Sequence, residues 1–465
     1  MALTKACLNN ALPKPMNYFL FHLGFKKVFG GIRPQEGGRW KGRCRRTILS
    51  AQIFDGFYLS RDPNGISAAY CFARLPRLRS RDLAKVDWLN KFDPFIPGGM
   101  ASEVRILIVG TGAVGAFYGS RLHRPEEGVK VSFVCRSNYE EVKANGIEIV
   151  SRTFGKYTMQ PADVFKSIDQ AAQLGPSESG SRWDFVILCT KVLPDRVDDA
   201  VLLSPLLRVA NDHDRPPPTL VLIQNGIGFE DNHRQRHPQV PILSAVTVVN
   251  AEQLKPNLVR HNRWTRISIG PYLNFSSYLA HPHPPINPQL GIHSQSQLEL
   301  LVSLLRSGQI HDVEIYGEKD LQILRWHKLA INASMNPTSI LSGGLPSSEM
   351  VKNPQLRLHL QGCMQEVFEA AKKIFGIESF PANFASIERI LQSTEKAGES
   401  STIKPSMLVD WELGRPLEIQ AIMGFPIRIA TRAGVKLARI QSMYAFLNQL
   451  QLARSKKTGL CQARI

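Results

Sequence analysis

The stretch that most constrains this chain is RILIVGTGAVGAFYGSRL. It reads as a buried strand from Arg105 to Val109, then Gly110-x-Gly112-x-x-Gly115, then a helix through Leu122. Each glycine has its own task. One permits a tight turn, one lets the backbone come close to a pyrophosphate, and one lets the helix pack closely on the strand. The helix start then faces the anion with its unpaired N–H groups. A glycine triplet alone says little, but one that leaves an apolar strand and opens a helix predicts the first unit of a parallel, doubly wound α/β sheet.

The next strands follow from apolar runs. Val129 to Cys135 ends in Arg136, about 20 residues past the last glycine, where an NAD-preferring site usually carries Asp or Glu; a basic residue there suits the 2′-phosphate of NADP. Asp184 to Thr190 and Thr219 to Ile223 read as buried parallel strands. Lys191 and Gln224-Asn225-Gly226-Ile227-Gly228 come directly after them, at the carboxyl ends where such sheets bind ligands. A strand at Ile242 to Val249 leads into Asn250 and Ala251, and Arg266 to Gly270 reads as another short one. Residues 271–297, rich in Pro, His, Ser and Asn, are expected to be an inserted surface loop.

A chain of 465 residues has room for two or three domains. No run of eighteen apolar residues is present, so no membrane span is expected. Seven scattered cysteines with no Cys-x-x-Cys pair point to a reducing compartment and no structural zinc. The formal charge of +18 is concentrated at the start: residues 1–99 hold 17 Lys plus Arg against 6 Asp plus Glu. That distribution argues against nucleic acid as a partner of the whole chain. It leaves two readings of the basic leader, a mitochondrial transit segment or upstream sequence joined by a faulty gene model, since Met100 is followed at once by ASEVRILIVG. Cytoplasmic location goes with the second and mitochondrial with the first. The expected division is a poorly ordered basic extension 1–102, a nucleotide-binding domain 103–308, a helical domain 309–452 and a loose tail 453–465.

Past Leu298 the pattern is helical almost throughout. In RWHKLAINASMNP, Lys328, Asn332 and Asn336 stand four residues apart and so share a helix face, and Pro337 is expected to stop the helix. An ammonium and two carboxamides on one stripe can hold a substrate that carries a carbonyl and hydroxyls, although a polar stripe facing water has the same spacing. Further helices are expected at Ser347 to Phe375, closed by Gly376, at Phe384 to Leu391, at Pro405 to Leu413, at Leu417 to Ala433 and at Arg439 to Leu450. Ser406 and Glu418 each fall in a first helical turn, where capping alone would account for them.

Together the GxGxxG, the Asn225-Gly-x-Gly turn, the Lys328-x-x-x-Asn332-x-x-x-Asn336-Pro helix and the Ser406-Met-Leu-x-Asp with Glu418 twelve residues past the serine resemble the ketopantoate reductase family over roughly Val104 to Leu450. The resemblance implies a Rossmann domain followed by an all-helical domain, with the site in the cleft between them. It implies reduction of ketopantoate to pantoate by NADPH, on the route to pantothenate and coenzyme A. Lys328 would be the general acid. Asn332, Asn336 and Ser406 would hold the substrate, and Asn225 would touch both ligands. Glu418 would bond the cofactor ribose and help place the lysine. Gly110, Thr111, Gly112, Ala113, Val114, Gly115 and Ala251 would line the cofactor, with Arg136 and Lys191 around its 2′-phosphate. No metal is implied, and a homodimer is compatible with a sequence that does not fix the oligomeric state. Two stretches, 271–297 and Gln392 to Lys404, look longer than a compact member needs, and the second could reshape the substrate pocket. Two rival readings remain: the same scaffold acting on another 2-oxo or 3-hydroxy acid, and a non-catalytic NADP-binding sensor.

Overall fold

The structure, a computed structural model, describes residues 58–62, 65–70, 103–175, 182–207, 216–274, 287–400 and 404–457. In the basic extension, Tyr58–Asp62 (β1) and Gly65–Tyr70 (β2) pair as an antiparallel ribbon, so this much of a leader expected to lack order has regular backbone. The rest of 1–102, with its charge clusters, lies outside the described residues.

The sheet is built from β3 (Val104–Val109), β4 (Val129–Val134), β5 (Ile147–Ser151), β6 (Gly155–Met159), β7 (Val164–Phe165), β8 (Phe185–Leu188), β9 (Thr219–Leu222), β10 (Ile242–Lys255), β11 (Leu258–Pro271) and β12 (Val313–Ile315). Its order is β6-β5-β11-β10-β9-β8-β3-β4-β7, with β12 beside β11. All pairings are parallel except β10 with β11 and β5 with β6. The chain leaves β3 for β4 on one side and returns to β8 on the other. The switch point therefore lies between the ends of β3 and β8, where α/β sheets open a ligand crevice.

The helices are α1 (Ala113–Leu122), α2 (Tyr139–Asn145), α3 (Ile168–Leu174), α4 (Asp199–Leu202), α5 (Glu230–Arg236), α6 (Pro288–Ser307), α7 (Glu318–Leu341), α8 (Ser347–Lys352), α9 (Pro354–Phe375), α10 (Ile387–Ser400), α11 (Ser406–Glu412), α12 (Phe425–Arg432) and α13 (Ala438–Lys457). Side chains of successive strand residues point to opposite faces, and β3 serves two cores. Ile106 and Ile108 pack with Phe117 and Tyr118 of α1 and Leu298 and Leu301 of α6. Leu107 and Val109 join the other core, which runs on without a break through Ile323, Trp326 and Leu329 of α7 into the helical half. Full burial of such side chains stabilises by about 1.5–3 kcal/mol each. The shared core thus fixes the face that α7 turns toward the strand ends.

Several expectations need correction. Residues 288–297 are the first half of α6 rather than loop, because Asn287 caps the Gln289 N–H and Pro288 suits a first helical position; 275–286 lie outside the described residues. Gln392 to Ser400 continues α10 instead of forming a loop, and 401–403 are outside the described residues. Pro337 does not stop α7, which runs to Leu341. One lost N–H bond is outweighed there by the last two turns, in which residues 333–340 are all buried. The tail expected to be loose from 453 is helical to Lys457, and β12 carries the sheet past the boundary drawn at 308.

Candidate active site

The glycine turn is built as its motif requires. Gly110 has φ +104°, and a Cβ there would lie 2.8 Å from the Thr190 backbone nitrogen. A Cβ on Gly115 would lie 2.2 Å from the Gly110 carbonyl oxygen, so helix and strand meet at a distance that only hydrogen allows. Gly112 differs, since a Cβ there would meet nothing within 4 Å. Gly112 caps α1 without any side-chain hydrogen bond, and the first turn (Ala113, Val114, Gly115) carries no acid. Open space in front of unpaired N–H groups fits the pyrophosphate of a dinucleotide. Thr111 holds the turn in place from inside, its Oγ1 donating to the Val134 carbonyl at 3.2 Å while its own carbonyl accepts from Asn138 Nδ2 at 3.1 Å. Arg136 is exposed just past β4. Ala251 is half-buried on β10 opposite His261, beyond a register shift.

The other side of the crevice is α7. Lys328 Nζ donates to Asn225 Oδ1 at 3.0 Å and to the Thr247 carbonyl at 2.8 Å. An ammonium has three N–H donors, so one remains for a ligand. Burial, then the nearby Arg325 charge, brings the Lys328 amine down to about 8, with Glu418 pulling the other way. Gln224, Asn225, Gly226, Val246, Arg325, Leu329 and Asn332 line a pocket with Lys328. The carboxamides of Asn332 and Asn336 make no hydrogen bond among the described residues, and Asn336 is buried one turn beyond the pocket. Ser406 is exposed at the start of α11 and is not part of that lining.

Glu418 enters from the segment before α12, where its Oε1 accepts the Val192 N–H at 3.1 Å. Burial pushes its carboxyl up to about 7, and Asp410 adds to this against the pull of that N–H, Lys191 and Lys328. No bond joins Glu418 to Lys328, so the two act on each other only through space. Lys191 is ion-paired with Asp410 of α11. The resemblance implies Lys191 beside Arg136 at the 2′-phosphate; in the structure its partner is the Asp410 carboxylate.

Sequence reasoning passed over the layer beneath the lysine. Arg325 is 3% exposed, and its guanidinium reaches Glu230 Oε1 at 3.0 Å, the Gly226 carbonyl at 2.7 Å and Ser244 Oγ. The available signal was an arginine three residues before Lys328, one turn away on the same helix face.

The family model described as ketopantoate reductase PanE/ApbA matches residues 106–274, and its C-terminal companion matches 320–451. The 2-dehydropantoate 2-reductase of Nostoc sp. is 26% identical over 74% of this chain and 94% of its own. The crystal structure of 2-dehydropantoate 2-reductase from Methylococcus capsulatus is 30% identical, with a TM-score of 0.58 over 76% of this chain and 98% of the other. A D-mandelate dehydrogenase solved with NADH and anilino(oxo)acetate shares the fold at 18% identity and a TM-score of 0.56, over 76% and 99% of the two chains. With both family models covering sheet and helices alike, the chain belongs to the ketopantoate reductase family of oxidoreductases.

Proposed function

We propose that this protein reduces a 2-oxo acid to the 2-hydroxy acid with NADPH, that ketopantoate is the substrate and pantoate the product, and that the reaction serves pantothenate and coenzyme A synthesis. The observation that carries the reading is Lys328, held by two acceptors at the pocket with one donor left over and with Asn332 unbonded beside it. The Gly110–Gly115 turn and the α1 start would hold the dinucleotide, and Arg136 its 2′-phosphate. The bound cofactor would supply the hydride.

The chain's own residues do the rest. Negative charge grows on the keto oxygen as its carbon is reduced, and the Lys328 ammonium stabilises that charge and then gives its proton to the oxygen. The resulting neutral amine suits a site where burial already disfavours the charged form. Asn225 orients the amine, and Asn332, Asn336 and Ser406 would bind the carboxylate and hydroxyl of the substrate. Steady-state rates with ketopantoate against a panel of 2-oxo acids test the assignment. The fold is shared with D-mandelate dehydrogenase and so does not itself choose among such acids; a different acid leading the panel would replace ketopantoate, and no turnover with any would favour a sensor.

A further inference from the structure

Arg325 shares the pocket with Lys328 yet has no nitrogen to spare at its forked end. One Nη faces Ser244 Oγ and Glu230 Oε1, the other the carbonyls of Gly226 at 2.7 Å and Gln224 at 3.5 Å. Three hydrogen bonds and one ion pair thus occupy the two Nη atoms, while the buried Nε has no partner among the described residues. Ser244 Oγ in turn donates to Glu230 Oε1 at 3.1 Å, and Glu230 Oε2 accepts the Gly228 N–H at 3.0 Å. The Phe229 ring lies under the guanidinium, 5.1 Å from its carbon. The pair therefore grips the turn Gln224-Asn225-Gly226-Ile227-Gly228 by two carbonyls and one N–H.

That turn presents the carboxamide oxygen on which Lys328 rests, and the gripping arginine sits one helical turn before Lys328 on the same helix. The turn cannot find this shape by itself. Gly226 and Gly228 have φ +92° and +80°, and a Cβ on Gly226 would lie 2.5 Å from the Ala421 carbonyl oxygen. A turn of two left-handed glycines is loose unless held from outside.

We infer that Arg325, seated by Glu230 and Ser244, is a positioning residue for the acid: it locks the Asn225 turn to α7 so that the Lys328 amine is presented to the substrate oxygen at a fixed place. It has no hydrogen bond to Lys328 itself. This rests on the function proposed above, but the grip itself does not. The charges around the amine support it. Arg325 on its own helix and Glu418 from the helical half face Lys328; Glu230 and Tyr272 face Arg325, and Lys191 and Asp410 face Glu418. Removing Arg325 and Glu230 together takes away the one cation among the described residues that opposes the ammonium.

The test compares Arg325→Lys with the charge-balanced double variant Arg325→Met/Glu230→Gln in the full chain. Two readouts are used: kcat and KM against pH, and the pH midpoint at which Lys328 reacts with an amine-directed reagent, followed by mass spectrometry. The second needs no turnover. The double variant should lose about 10²-fold in kcat, the order of cost of a roughly 1 Å misplacement at a reacting group, with KM little changed. Its Lys328 labelling midpoint should move upward. Arg325→Lys keeps the charge and loses the fork, so it should lose kcat with a midpoint near that of the unaltered protein. Unaltered kcat in Arg325→Lys, or a double variant that is folded with both readouts unchanged, would overturn the inference. An inactive parent protein whose labelling midpoint still shifts in the double variant would sink the proposed reaction and leave the grip standing.

Discussion

The two walls of the crevice hold charge in opposite ways. On the sheet side, the features that fit a dinucleotide are backbone and open space: Gly110 at positive φ, Gly112 with nothing before it, and an uncapped α1 start, with Arg136 exposed at the rim. On the helical side, burial acts first on Lys328, Glu418 and Arg325, bringing the amine down to about 8 and the carboxyl up to about 7, with the charges of Arg325 and Glu418 then acting on Lys328. A wall made of backbone is altered by adding atoms. A wall made of desolvated charges is altered by removing them, and what it loses is rate more than affinity.

The largest expected effect sets the walls apart. Lys328→Ala should lower turnover by at least ~10²-fold, the usual reach of a general acid, while NADPH binding measured by fluorescence titration stays near that of the parent. Loss of cofactor binding in this variant would mean the walls are not separable. The pH profile belongs to the same wall. The acid must be protonated, and burial has brought its amine down to about 8, so reductive kcat should hold below that pH and fall as pH rises through it. A profile flat to pH 10 would place the working proton elsewhere.

Next in size is the glycine turn. Gly112→Ala meets no protein atom and so should leave Tm unchanged, yet it fills the space before α1 and should weaken NADPH binding by about tenfold or more, which is about 1.4 kcal/mol. Gly115→Ala puts its methyl 2.2 Å from a backbone oxygen and should act first on stability, by roughly 1–3 kcal/mol, visible as a lower Tm without ligand. The same Tm for both variants would erase the distinction between cradle and packing glycines.

How much of this could be read beforehand differs between the walls for a physical reason. The glycine turn lies within one strand and one helix, and its geometry is local, so Gly110, Gly112 and Gly115 could be read from spacing. The i, i+4 stripe of Lys328, Asn332 and Asn336 was equally local. The Arg325 to Glu230 pair joins residues 95 positions apart on elements that meet only in the fold, and no period marks it. The expectation that Pro337 ends α7 failed because propensity counts one lost hydrogen bond and misses the burial of residues 333–340. The far halves of β10 and β11 were missed because beyond Val249 the pattern is broken by register shifts and β10 becomes exposed from Glu252 on. Strands β5 and β6 are five residues each, with the inward Ile147 and Ile149 their main signal.

The smallest expected effect tests where phosphate specificity resides on the open wall. Arg136 is exposed and has no ion pair among the described residues, so its charge is available to a 2′-phosphate. Lys191 is held by Asp410, and the Lys191 charge would have to leave a carboxylate to serve as a ligand. Arg136→Ala should therefore reduce the preference for NADPH over NADH by about tenfold, in line with about 1.4 kcal/mol for one charged hydrogen bond. Lys191→Ala should change that preference by less than about threefold, the scale of a partly exposed ion pair, and should appear instead as a lower Tm, because among the described residues Asp410 would keep only Arg415 at 4.0 Å as an ion-pair partner. Equal losses of preference in the two variants would mean that Lys191 exchanges Asp410 for phosphate when cofactor arrives. The ion pair to α11 would then be a latch between the walls that the cofactor opens.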